Sequence, residues 1–78
     1  MKDIAMARVI MGLFPKTDMS GMGYSPVPVT MVINGARISG ITKVAMTDEN
    51  VCFYGGQVSV CIFWQSVREL HPGGIRRI

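Results

Sequence analysis

The residues able to do chemistry in this chain are few: one histidine, His71, two cysteines, Cys52 and Cys61, and five acids, of which only Asp48 and Glu49 adjoin. A zinc site needs four Cys, His or carboxylate ligands with at least one closely spaced pair. Two cysteines nine positions apart, with no histidine near either, do not supply it. Paired carboxylates act as general acid and base only when they share a face, and neighbours on a strand point to opposite sides. His71 precedes Pro72 and reads as a loop residue. No nucleophile lies beside a base, so the expectation is a protein that is not an enzyme and uses no cofactor or metal.

The cations are Lys2, Arg8, Lys16, Arg37, Lys43, Arg68, Arg76 and Arg77, giving a net charge of +3. That balance permits contact with phosphate without demanding it. The longest apolar stretch, Ile4 to Phe14, is interrupted by Arg8. It falls short of the roughly 18 apolar residues of a membrane span and lacks a cleavage signature. The expectation is a cytoplasmic protein with reduced thiols and no membrane contact. At 78 residues the chain is 49% hydrophobic but only 17% charged, more apolar surface than one small core absorbs, which points to self-association.

The elements that must position these residues are mostly strands. Asn34-Gly35 lies between the alternating stretches Val27 to Ile33 and Ala36 to Ser39, the pattern of a two-residue hairpin turn with one buried face. Pairing Ile33 with Ala36 puts Met31 opposite Ile38, Val29 opposite Gly40, and Arg37 beside Val32 on the outer side. A glycine at that point of a strand marks a bulge or a sharp bend. The strand from Ala36 is expected to run to Met46 and to turn at Thr47 to Asn50. Val51 to Tyr54 and Gln57 to Phe63 form a second hairpin around Gly55-Gly56, with Tyr54 opposite Gln57, Phe53 opposite Val58 and Val51 opposite Val60. With Ile62 these make one apolar face. The other face carries Asn50, Cys52, Tyr54, Gln57, Ser59, Cys61 and Phe63, with Cys52 and Cys61 diagonal, so no disulfide is expected.

Trp64-Gln65-Ser66 is short enough to require a single 3₁₀ turn before a last strand, Val67 to Leu70. Upstream, Met6, Ile10 and Leu13 fall on one face of a helix ended by Pro15, and residues 15 to 26 read as a loop. Five of the seven methionines lie in the first 22 residues and read as flexible packing against the strands. Tyr24 reads as a packing residue. The expected organisation is an N-terminal segment over 1–26, a barrel over 27–72 and a short basic tail over 73–78.

Five short bent strands with an Asn-Gly first turn, Gly40 five residues on, and a 3₁₀ turn before the final strand resemble the Sm-like (LSm) family, most closely its bacterial RNA-chaperone branch, Hfq. The stretch from Pro28 to Gly40 is similar to the first Sm motif and the stretch from Phe63 to Pro72 to the second. The resemblance implies a mostly β fold: a small, strongly bent, five-stranded SH3-like barrel with an N-terminal helical segment. It implies a homo-oligomeric ring, pentameric, hexameric or heptameric, in which the fourth strand of one subunit, with Val58, Val60 and Ile62, pairs with the fifth strand of the next, with Val67 and Leu70. It also implies binding of single-stranded RNA, uridine-rich or adenine-rich, as a chaperone or regulator. In that reading Phe63 and Trp64 stack bases, Gln65 reads a base edge, Asn50 and Arg68 complete the pocket, and Lys43 and Arg37, with the Arg76-Arg77 tail, hold phosphates. The chain departs from the family at Phe63-Trp64-Gln65, where a tyrosine-lysine-histidine run is usual, and at Asp48-Glu49, where an aromatic is. Those departures favour the alternative of a ring that assembles proteins without RNA.

Overall fold

The computed structural model describes residues 2–19 and 21–73. The Arg76-Arg77 tail lies outside the described residues. The chain is mostly β, with one N-terminal helix on an open antiparallel sheet of six strands.

Helix α1, Ile4–Leu13, forms where the sequence places it. Asp3 caps it, its carboxylate accepting from the Met6 N–H at 3.0 Å, which satisfies an amide the helix leaves without a partner. The Phe14 N–H closes the other end on the Met11 carbonyl, and Pro15 follows. Ile10 and Phe14 are fully buried. Met6, Ala7, Met11 and Leu13 pack around them.

The sheet begins earlier than expected. Strand β1, Lys16–Thr17, pairs with the start of β2, Gly23–Ile33, inside the segment read as a loop. Strand β3 is Ala36–Met46. The Asn34-Gly35 turn has positive φ at both residues, 47° and 86°, as a type I′ hairpin requires. Ile33↔Ala36, Val32↔Arg37 and Met31↔Ile38 are observed, but Val29 meets Ile41 instead of Gly40. Gly40, at φ 77°, is the extra residue of a bulge. A Cβ there would meet nothing within 4 Å, so the position demands glycine for its backbone angle and not for want of space.

Strands β4, Asn50–Gly55, and β5, Ser59–Phe63, form the second hairpin. Its faces match the expectation; its register does not. Tyr54 pairs with Ser59, Phe53 with Val60, Cys52 with Cys61 and Val51 with Ile62, a slip of two residues from the pairing read from sequence. The slip corrects two further expectations. Cys52 and Cys61 are directly opposed with Cα atoms 4.0 Å apart, and they form a disulfide. The thiols are not reduced, and the diagonal placement that argued against a bridge does not exist.

The 3₁₀ turn is Trp64–Ser66, as expected. The last strand is displaced: β6 is Leu70–Pro72, so His71 is a strand residue opposite Val32 instead of a loop residue, and Val67 to Glu69 lie outside the sheet. That connection is held by Asn34, whose Oδ1 accepts from the Arg68 and Glu69 amides at 2.7 and 3.0 Å. Its Nδ2 donates to the Ser66 carbonyl at 2.9 Å. The strand order is β1-β2-β3-β4-β5, with β6 on β2. Met31, Ile33, Ile41, Val44, Val51, Phe53, Trp64 and Leu70 complete the core under α1.

Candidate nucleic-acid interface

Directly paired residues in an antiparallel sheet project on the same side. Lys16↔Tyr24, Tyr24↔Lys43, Lys43↔Tyr54 and Tyr54↔Ser59 therefore form one row across five strands. Cations and aromatic rings alternate along it. The Lys43 ammonium lies 5.9 Å from the Tyr24 ring centroid and 5.2 Å from that of Tyr54, within cation–π range of both. An open groove of about 520 Å³ follows the row, lined by Tyr24, Ser25, Thr42, Lys43, Tyr54 and Gly55.

Each tyrosine is oriented by its hydroxyl. Tyr24 donates to the Asp18 carboxylate at 2.9 Å, and this bond, with lesser contributions from desolvation and the Asp18 charge, raises the phenol pKa. Asp18 is fixed in turn by accepting from the Met22 amide at 3.0 Å. The Tyr54 hydroxyl lies 3.8 Å from Cys61 Sγ. Beyond Tyr54 on the same face come the Ala45–Cys52–Cys61 row and then the Asn50↔Phe63 pair.

The expected site residues are divided by this geometry. Lys43 stands at the centre of the row. Phe63 is 56% exposed beside Asn50 at the far end of the same face. The Thr47 hydroxyl donates to Asn50 Oδ1 at 2.9 Å and accepts from the Asn50 amide at 3.0 Å, fixing Asn50 in the turn that carries the exposed acids Asp48 and Glu49. Trp64 is only 5% exposed, and its indole N–H donates to the Thr47 carbonyl at 2.8 Å. Its backbone N–H donates to the Glu49 carbonyl at the same distance. A stacking platform needs a free ring face, and in this chain Trp64 is a core anchor without one.

Gln65 and Arg68 are exposed around the 3₁₀ turn. Arg37 is drawn away from the row, donating to the Gly73 carbonyl at 2.8 Å. Of the residues assigned to a subunit contact, Leu70 is buried in the core, and Val58, Ile62 and Val67 pack against it. Val60 is half-buried. His71 Nε2 lies 2.8 Å from the Glu69 carboxylate. That bond raises its pKa, with help from the Pro72 carbonyl and the Glu69 charge and against desolvation and Arg37.

Sequence reasoning did not bring Lys16, Tyr24 and Tyr54 together with Lys43 in one row. Their signal is a register, since Tyr24 and Lys16 join the row only once the segment before Val27 is recognised as strand. Among the described residues no cluster of His, Cys, Asp or Glu can hold a metal ion, and no helix is long and apolar enough to cross a membrane. No family model matches the chain, and neither a curated protein nor a solved structure matches it.

Proposed function

We propose that this chain binds single-stranded RNA on the outer face of its sheet, as one subunit of a ring. The observation that carries the reading is the Lys16–Tyr24–Lys43–Tyr54 row. Single-strand binders combine a cationic track for the backbone with aromatic faces on which bases stack at about 1–3 kcal/mol each. Lys43 lies between the two tyrosines and serves a phosphate, while Phe63 supplies a further exposed ring on the same face. The net charge of +3, repeated around a ring, supplies the long-range attraction.

Ring closure has its own support. Strand β5 pairs only with β4 among the described residues, and a bare strand edge is a template for another chain. Bending of the sheet into the barrel of the Sm-like resemblance, with β5 of one copy against β6 of the next, would cover it.

A second reading is a ring that assembles proteins and leaves RNA alone. It is favoured by Asp48 and Glu49 beside Phe63 and by the exposed apolar residues Ile4, Val9 and Val27.

The test is fluorescence anisotropy with labelled oligouridine and oligoadenine across a salt series, with native mass spectrometry for the oligomer. Binding that weakens steeply with salt, and about fivefold or more on Lys43→Ala, supports the RNA reading. Salt-independent binding, or none to either oligonucleotide from an intact ring, moves the chain to the assembly reading.

A further inference from the structure

The β4–β5 hairpin has two self-consistent pairings. In the observed one Gly56 and Gln57 form the turn, the Gly55 N–H donates to the Val58 carbonyl at 2.9 Å, and Cys52 faces Cys61. In the other, slipped by two residues, Gly55-Gly56 form the turn, Tyr54 meets Gln57 and Val51 meets Val60. Side chains on a strand alternate with a period of two, so a slip of two sends none to the opposite face. Gly-Gly is also the better two-residue turn. Hydrophobic patterning therefore cannot choose between the pairings.

Two features do. The Cys52–Cys61 bridge exists only in the observed register. In the slipped one Cys52 faces Ser59 and Cys61 faces Asn50, a diagonal of roughly 7–8 Å that a disulfide does not span. The other feature is the seat of Trp64 on Thr47 and Glu49. A two-residue slip moves β5 about 7 Å along β4, carrying Phe63 past Asn50 to the turn residue Asp48, where there is no strand to pair with, and drawing Trp64 from its seat.

We propose that the Cys52–Cys61 disulfide is a redox-controlled lock on this register. Closed, it holds Phe63 on the outer face next to Asn50. Opened, it leaves the Trp64 seat alone to oppose the better Gly55-Gly56 turn, and the hairpin exchanges with the pairing slipped by two residues, which takes Phe63 off the face and Trp64 out of the core. The opening agent is a dithiol. One of its thiolates attacks Cys61, which is exposed where Cys52 is buried; the S–S bond breaks and Cys52 leaves, taking up a proton. The second dithiol sulfur then displaces Cys61 and closes the reductant's own disulfide. Two electrons and two protons pass to the protein. The consequence for RNA rests on the function proposed above; the register change does not.

Trp64 is the only tryptophan, so its emission reports the seat directly. Adding dithiothreitol to the whole protein is expected to red-shift that emission and accelerate amide exchange in Ser59–Phe63 while circular dichroism keeps its β signal. Unchanged emission and exchange would overturn the proposal, and so would loss of the β signal, which would make the bridge a mere staple. The S59C/C61S variant brings its two thiols face to face only in the slipped register. It is expected to close a disulfide under mild oxidation with red-shifted emission, and its staying open overturns the slip. Oligonucleotide affinity is then measured in both redox states, with a loss of about fivefold or more expected on reduction. An emission shift and trapped bridge without an affinity change leave the lock standing and overturn its link to binding.

Discussion

Replacing Gly55 by alanine tests a close approach of β3 and β4. A Cβ on Gly55 would run into the Gly40 carbonyl oxygen, which belongs to the backbone and cannot swing aside. To admit one methyl, β3 and β4 must part at the Ile41↔Gly55 pair beside the bulge. Overpacking of this kind costs about 1–3 kcal/mol, and one ladder hydrogen bond lost adds about 0.5–1.5 kcal/mol, for a total of about 1.5–4.5 kcal/mol. Against the roughly 4–12 kcal/mol expected of a chain this size, that is a large share. The neighbouring Gly56 is the internal control: nothing lies within 4 Å of its Cβ position and its φ is not positive, so Gly56→Ala should be neutral or stabilise by about 0.4–1 kcal/mol through the unfolded chain. Urea unfolding under oxidising conditions, followed by circular dichroism, measures both. Gly55→Ala within about 0.5 kcal/mol of Gly56→Ala would refute the described contact between β3 and β4.

Asn34→Gly keeps the turn's positive φ but deletes the side-chain bonds to Ser66, Arg68 and Glu69. It should cost about 1–3 kcal/mol and speed amide exchange at Arg68 and Glu69. Trp64→Ala should cost about 3–5 kcal/mol and Trp64→Phe, which loses mainly the bond to Thr47, about 1–2 kcal/mol; a stable Trp64→Ala protein would remove Trp64 from the core. His71 should titrate above an ordinary histidine by NMR, and Glu69→Gln should lower its pKa, because the Glu69 bond is the largest cause of the rise. A raised pKa means that protonated His71 favours the folded form. Its contribution is present below the ordinary histidine pKa and lost as pH rises through the folded one, and solvent screening of this exposed side chain keeps it small.

The parts of the fold legible from sequence are those fixed by local chemistry. Pro15 bounds α1, Asn34-Gly35 fixes its turn, and the three residues after Phe63 leave room only for a 3₁₀ turn. Legibility failed where distant residues decide. Residues 23–26, ending at Pro26, read as loop, yet they lie in β2, and Pro26 and Pro28 fall where its ladder with β3 is interrupted between Tyr24↔Lys43 and Val29↔Ile41, a place where proline forfeits no bond. The expected strand from Val67 gave way because Asn34 takes the amides of Arg68 and Glu69, leaving pairing to begin at Leu70. The candidate site suffered most. Lys43 could be named from charge, but its flanking tyrosines come from a strand that starts earlier than the sequence suggests and from a pairing across three strands. Cys52 and Cys61 were individually visible, and only the register brings them together.

Strand β2 holds β1, β3 and β6, and its last partner, Leu70–Pro72, is about the last part of the described chain to be made. Loop closure over such a span must be completed before the contacts reward it. During synthesis β2 therefore waits with the edge that β6 will cover left open at Met31 to Ile33, after the first hairpin has been made. The Asn34 side chain stands at the end of that edge and fastens the arriving segment by three bonds. The expected order of folding therefore runs from the turn: hairpin first, Ser66 to Glu69 caught next, and β6 zipped onto β2 last.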